Sequence, residues 1–162
     1  MPRQEFEHRF AALPEDVWPV VIDIAAAAEA LPHLSGAEIL SGEGGVGRVS
    51  RCTNLKGQSW TETCFLWEEG RAFGTRANAD AADYPYPLEK LELTYHLTPR
   101  DGGTTVRMCF DYRMKYGLFG RLLELAIGKR SFRKISDDSF QDLRSRLAKT
   151  SDPAAMNRRQ SA

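Results

Sequence analysis

Polar and apolar side chains alternate at the start of the chain. Phe6, His8 and Phe10 fall on one side of residues 5–11 and Glu5, Glu7 and Arg9 on the other, the period of a half-buried strand. The period then lengthens. Pro14 stands where a first helical turn accepts proline, Glu15 and Asp16 suit the positive end of a helix, and Val17, Trp18, Val21 and Ile22 make a short apolar face. Pro19 is still early enough in that helix to be tolerated. Residues 25–31 read as a second short helix, stopped by Pro32.

From residue 37 the period returns to two. Residues 37–40 form a brief strand that turns at SGEGG, and residues 46–54 set Val46, Arg48, Ser50 and Cys52 against Gly47, Val49 and Arg51. Residues 58–68 place Trp60, Glu62, Cys64 and Leu66 on one side and Thr61, Thr63, Phe65 and Trp67 on the other; Glu69 and Gly70 then turn into residues 71–77. Short strands joined by glycine turns predict an antiparallel meander. Residues 78–87, NADAADYPYP, have no period and two prolines, so they form a loop. In residues 88–97, Leu91, Leu93, Tyr95 and Leu97 stand opposite Glu92, Thr94 and His96. Residues 99–103 turn the chain, and residues 104–115 return with Val106, Met108, Phe110, Tyr112 and Met114 on one face.

Residues 118–149 contain no proline and predict one long helix, roughly 45 Å end to end at 1.5 Å per residue. Its apolar positions fall in two phases. Phe119, Leu122, Leu123, Ala126 and Ile127 share one face; Phe132, Ile135, Ser139, Leu143 and Leu147 share another, and Gly128 sits at the change, where a bend is expected. The predicted architecture is therefore α+β: a curved antiparallel sheet of six to seven strands wrapped on a long C-terminal helix, with two short helices after the first strand. That helix is the available cover for the sheet's apolar face. A long helix laid over a curved sheet leaves room beneath it, so a cavity is expected, with residues 78–87 and the short helices at its mouth.

A chain of 162 residues predicts one domain, here residues 1–149, followed by a polar, flexible tail over 150–162. Lys plus Arg equals Asp plus Glu at 22 each, so no charge excess steers the chain toward nucleic acid or anionic lipid. Lys129, Arg130, Arg133 and Lys134 cluster on the helix, but Asp137, Asp138 and Asp142 follow at spacings that allow pairing such as Lys134 with Asp138. Cys52, Cys64 and Cys109 lack metal-ligand spacing and are odd in number; buried free thiols in a reducing cytoplasm are expected. The N-terminus has no apolar signal segment, and no run approaches the ~18 apolar residues of a spanning helix, so stable membrane insertion is not expected. Neither glycine run matches a phosphate loop, and no G-x-S-x-G element is present.

Several pieces in this order carry a resemblance: LPEDVW at the first helix, HLSGAEIL, the WTETCFLWEEG strand, the LELTYHLTPRDGGTTV hairpin and GLFGRLLE before the last helix. Together, over roughly residues 4–148, the chain resembles the START-like (SRPBCC) helix-grip superfamily and within it the bacterial polyketide cyclase/dehydrase family. The resemblance implies a deep apolar cavity between sheet and helix, taking a lipid, an aromatic or a polyketide-like molecule. Members include non-catalytic carriers as well as cyclases, aromatases and dehydratases, and they share no universal catalytic signature. Neither a Rieske set nor a 2-His-1-carboxylate group is present, so no metal or cofactor is implied. The expectation is a carrier or binding protein, monomer or homodimer; the alternative is a metal-free cyclase or dehydratase working by general acid-base chemistry.

In an apolar pocket a few polar groups set orientation and chemistry. His8 shares its side with Phe6 and Phe10 and can exchange a proton near neutral pH; the competing reading is a core histidine with a local hydrogen bond. Glu62 is an acid or base if it points inward, and a paired surface charge if it points outward. Alternation leaves this open, because Thr61, Phe65 and Trp67 make the other side partly apolar as well. Tyr112 continues the apolar series and can polarise a ligand carbonyl. These three are the catalytic candidates. Trp60, Arg51, Arg76, Tyr84, Tyr86, Phe110 and Ile135 are the ligand-contact candidates. Arg51 and Arg76 are either forked anchors for a ligand anion or solvated strand arginines, and Tyr84 and Tyr86 are either a lid or simple loop packing. His33 and His96 are given no role.

Overall fold

Seven strands take up the period-two segments, and the computed structural model describes residues 1–117, 120, 122 and 128–150. In chain order these are β1 (Arg3–Phe10), α1 (Pro14–Ile22), α2 (Ile24–Ala30), β2 (Leu34–Ser41), β3 (Val49–Asn54), β4 (Ser59–Glu68), β5 (Ala72–Ala77), β6 (Leu88–Arg100), β7 (Gly103–Met114) and α3 (Lys129–Thr150). Every pairing is antiparallel, and the strands lie in the order β1-β7-β6-β5-β4-β3-β2. Pro14 opens α1 as its first residue and Asp23 caps α2, its side chain accepting from the Ala26 amide at 3.1 Å. Gly103 is required where β7 starts, because a Cβ there would lie 2.3 Å from the Phe10 carbonyl oxygen.

Register aligns the inward side chains into rows. Phe6 of β1 pairs with Met108, Met108 with Tyr95, Tyr95 with Phe73, and Phe73 with Trp67. The helix α3 lies over these rows. Phe132 packs on Phe110 and Tyr112 with ring centres 4.7 and 4.6 Å apart, and Phe140 stacks on His8 at 5.5 Å. Its inward positions are the second predicted phase: Phe132, Ser139, Leu143 and Leu147 are buried and Ile135 is half-buried against the core. On its other flank, Arg146 binds Asp142 through both carboxylate oxygens and donates to the Val20 carbonyl at 2.9 Å, which ties α3 to α1.

The outward face carries charge instead. Arg3, Asp111, Glu92 and Arg76 follow one another in register across β1, β7, β6 and β5. Arg3 grips Asp111 through two bonds of 2.8 and 2.7 Å, and Arg76 meets Glu92 at 2.7 Å.

Two expectations change. The strand predicted from residue 46 begins at Val49, because Gly47 at φ +91° belongs to the preceding turn. In β4 the register shifts between Cys64 and Leu66, so the inward series Trp60, Glu62, Cys64 continues at Trp67 rather than Leu66. A bulge adds one residue and exchanges the two faces beyond it. The described part of the C-terminal helix runs from Lys129, immediately after Gly128. The predicted first half of the long helix, apart from Gly120 and Leu122, lies outside the described residues, as do tail residues 151–162.

Candidate functional site

On β4 every second residue up to the bulge faces α3, and Glu62 is one of them. Ser50 of β3 stands opposite it, Cys52 opposite Trp60 and Thr75 of β5 opposite Cys64; all but Glu62, which is half-buried, are buried. The Glu62 carboxylate is bonded at both oxygens. Trp60 Nε1 donates to Oε1 at 2.9 Å and Thr75 Oγ1 donates to Oε2 at 2.9 Å. An anion on the inner wall is thereby oriented by an indole and a hydroxyl, and each oxygen keeps a further lone-pair direction.

The loop 78–87 packs beside this carboxylate because Asn78 staples it to β4: the Asn78 amide donates to the Thr61 carbonyl at 3.0 Å, and the Asn78 side chain accepts from the Thr61 amide at 2.9 Å. Tyr86 then meets Trp60 edge-on at 5.3 Å and Tyr84 at 5.7 Å. Tyr84 is 7% exposed, and its hydroxyl is buried without a hydrogen-bond partner among the described residues. Burial, followed by the nearby charges of Glu62, Tyr86 and Cys52, pushes that hydroxyl's pKa up, so it stays protonated and can donate. A cavity of about 230 Å³ opens at this end of the sheet, with Arg51, Ser59, Trp60, Thr61, Asp83 and Tyr84 in its wall.

The structure therefore gathers Trp60, Glu62, Tyr84 and Tyr86, with Thr75 as a member that sequence reading passed over. Tyr112, with 0% exposure, and Phe110 lie on β7 under Phe132, and Ile135 faces the same core one helical turn away. His8 is elsewhere. It sits on the edge strand β1, four strand spacings or roughly 19 Å along the sheet from β4, between Phe10, Phe140 and the guanidinium of Arg144. Burial and then the Arg144 charge hold its imidazole below the ordinary range, which favours the neutral ring. Arg51 and Arg76 point away from α3 and are paired, Arg51 with Glu38 at 2.8 Å and Arg76 with Glu92.

Arg48 was not singled out from the sequence, yet it is the buried arginine of the inner wall. It is 5% exposed, its guanidinium lies 5.2 Å from the centres of both the Trp67 and Phe73 rings, and it donates to the Ile22 carbonyl at 3.2 Å. Its position on the same alternating side as Ser50 and Cys52 was the available signal. A larger groove of about 570 Å³ runs between α2 and α3, lined by residues such as Glu29, Pro32, Gln141 and Lys149, and does not touch Glu62 or Trp60. Among the described residues no three His, Cys, Asp or Glu side chains are grouped to hold a metal ion, and no helix is long and apolar enough to cross a membrane.

Residues 1–148 match the sequence profile of the family described as polyketide cyclase / dehydrase and lipid transport. No curated protein matches the chain in sequence. Solved structures share the fold. TTHA0849 from Thermus thermophilus superposes with a TM-score of 0.74 at 20% identity, covering 93% of this chain and 100% of that one. A START superfamily protein from Mycobacterium smegmatis gives 0.70 at 16% identity, over 92% and 99%. Zhui aromatase/cyclase from Streptomyces sp. R1128 gives 0.69 at 18% identity, over 94% and 98%.

Proposed function

The chain belongs to the polyketide cyclase/dehydrase and lipid transport family, and from that premise we propose that it binds a small hydrophobic molecule between the inner face of its sheet and α3, as a carrier or binding protein. Family and fold together support a general hydrophobic-ligand-binding function. The ligand class is a lipid, an aromatic or a polyketide-like compound. The observation that carries this reading is the inner wall itself. At the end beside residues 78–87, Trp60 and Tyr84 border a cavity of about 230 Å³, the Glu62 carboxylate is bonded to Trp60, and the Tyr84 hydroxyl has no partner among the described residues, while Phe110 and Tyr112 farther along are packed under Phe132. Such a wall suits a ligand that buries most of its surface and is oriented by a few polar contacts.

Titration of the full chain with the neutral fluorophore N-phenyl-1-naphthylamine tests it. Saturable one-to-one enhancement, reversed by an apolar competitor such as naphthalene, is the expected result; a linear, non-saturating response overturns the reading. Native mass spectrometry of the protein as purified would then report the mass of any co-purifying apolar molecule.

One observation favours a second reading, a metal-free cyclase or dehydratase. Glu62 is a carboxylate oriented by two donors on an apolar wall, the arrangement of a general base. In that reading the cavity folds a poly-β-ketone chain, Glu62 takes the proton from a carbon between two carbonyls, and the hydroxyl of Tyr84 hydrogen-bonds the enolate oxygen. The enolate carbon then attacks a second carbonyl of the same chain, whose C=O π pair becomes an alkoxide that takes back the proton held on Glu62. Glu62→Gln separates the two readings: lost turnover with retained affinity supports the enzyme, and unchanged turnover removes Glu62 from that role.

A further inference from the structure

Two features at the same end of the sheet call for a ligand group of definite polarity. Glu62 has both oxygens engaged by protein donors yet retains acceptor capacity, and the adjoining Tyr84 hydroxyl is buried with nothing to bond among the described residues. We propose that Glu62 and Tyr84 form a hydroxyl-reading end of the ligand site, selecting apolar molecules that carry a neutral hydroxyl, phenols and alcohols, against apolar carboxylates. This rests on the hydrophobic-ligand reading above and narrows its ligand class.

A ligand hydroxyl suits both groups at once: its hydrogen is donated to a Glu62 oxygen, and its oxygen accepts from Tyr84. An ionised carboxylate can accept from Tyr84, but it has nothing to donate to Glu62 and meets a like charge in a poorly hydrated place. The nearby cations do not rescue it. Arg51 lies in the cavity wall but its guanidinium is engaged by Glu38 at 2.8 Å, Asp83 adds a further negative charge to the same wall, and Arg48 is enclosed by Trp67 and Phe73. The cavity of about 230 Å³ has Trp60 and Tyr84 but not Glu62 in its wall, which gives a bicyclic aromatic room to approach, and Trp60, bonded to Glu62 at 2.9 Å, is the wall residue that adjoins the carboxylate.

The test displaces N-phenyl-1-naphthylamine from the full chain at pH 7 with naphthalene, 2-naphthol or 2-naphthoate, which share one ring system and differ in the polar group. Wild type should bind 2-naphthol at least about tenfold tighter than 2-naphthoate, the scale of one hydrogen bond to a charged group. Tyr84→Phe should weaken 2-naphthol about five- to tenfold and leave naphthalene within about twofold. Glu62→Gln should narrow the gap by admitting 2-naphthoate. Equal wild-type affinities for 2-naphthol and 2-naphthoate overturn the proposal whatever the variants do, so it stays testable even if one of them fails to fold. Discrimination that persists unchanged in both folded variants overturns the assignment to Glu62 and Tyr84. If the fluorophore does not bind saturably, the hydrophobic-ligand reading falls, and this proposal with it; saturable fluorophore binding without discrimination removes this proposal alone.

Discussion

Glu62 accepts a hydrogen bond from the indole of Trp60, two residues earlier on the same strand, at 2.9 Å, so a bulky ring of the inner wall also holds its carboxylate in place. Because Thr75 holds the other oxygen, the three side chains act as a unit. Trp60→Phe keeps a ring against Tyr86 and deletes the donor. A stability loss of about 1–3 kcal/mol is expected, the range for removing a bond to a charged group. Combined with Glu62→Gln in a double-mutant cycle, the losses should fall short of additive, as interacting neighbours do. Strict additivity in urea denaturation would show that the bond carries no energy.

His8 gives a pH prediction of definite sign. Its folded-state pKa is lowered, first by burial and then by Arg144, from an ordinary value of 6.5. Above pH 6.5 the ring is neutral in both states. As pH falls through 6.5 the unfolded chain takes the proton first, so stability declines from there down toward the folded value. His33 and His96 are shifted in the same direction, so the readout is the difference between wild type and His8→Gln. That difference should move in favour of the variant as the pH is lowered from 7 to 5. A difference independent of pH across that window would show that the imidazole does not titrate differently on folding.

Alternation was enough to align β1 and β7 along their length and β6 from Lys90 onward, past its shift after Leu88, and it placed Phe132, Ser139, Leu143 and Leu147 on one buried face of α3. It left Glu62 undecided for a local reason. The bulge between Cys64 and Leu66 carries Trp67 inward, so both sides of the uncorrected pattern contain large apolar residues. Partners supplied by other elements were out of reach of local reading: Thr75 of β5 lies 13 positions from Glu62, and Arg144 of α3 lies 136 from His8. Arg51 and Arg76 stood open between two roles until register set them beside Glu38 and Glu92. Arg48 was legible by parity, but an arginine on an apolar side is conspicuous only once Trp67 and Phe73 are known to enclose it.

Arg48 should be hard to replace. Its planar guanidinium faces two rings and caps the carbonyl of Ile22, the last residue of α1. Arg48→Lys keeps the charge but loses the flat stacking surface, so a loss of about 1–2 kcal/mol is expected from the cation–π share. Arg48→Ala also removes the packing of the stem, and a loss of about 3 kcal/mol follows from burial of this kind. Thermal denaturation ranking wild type above Lys above Ala supports this account. A lysine variant as stable as wild type would reduce Arg48 to a point charge.

On the outward face, Glu92 tests the ionic row. Burial opposes its ionisation, but hydrogen bonds from Lys90 and Arg76 outweigh that and hold its carboxyl below the ordinary 4.5. The associated stability is present above pH 4.5 and is lost as pH falls through the lower folded value. Arg76 is 53% exposed and screened by solvent, so Glu92→Gln should cost about 1 kcal/mol at pH 7. The two stability curves should converge in acid. Added salt should narrow the gap at neutral pH.

Tyr84→Phe distinguishes a group kept for binding from one kept for folding. A buried hydroxyl that bonds a protein partner costs about 1 kcal/mol or more when removed, because the partner is left unsatisfied. The Tyr84 hydroxyl leaves no such partner behind among the described residues. Its ring contacts with Tyr86, and the Lys115 ammonium 5.9 Å from its ring centre, survive in phenylalanine. The free variant should therefore be as stable as wild type, or more stable by up to about 1 kcal/mol, since an unsatisfied buried hydroxyl is itself unfavourable. Chemical denaturation without ligand measures this directly. A clear loss of stability in Tyr84→Phe would mean that the hydroxyl is held by the fold, and its place at the ligand site would have to be argued from another residue.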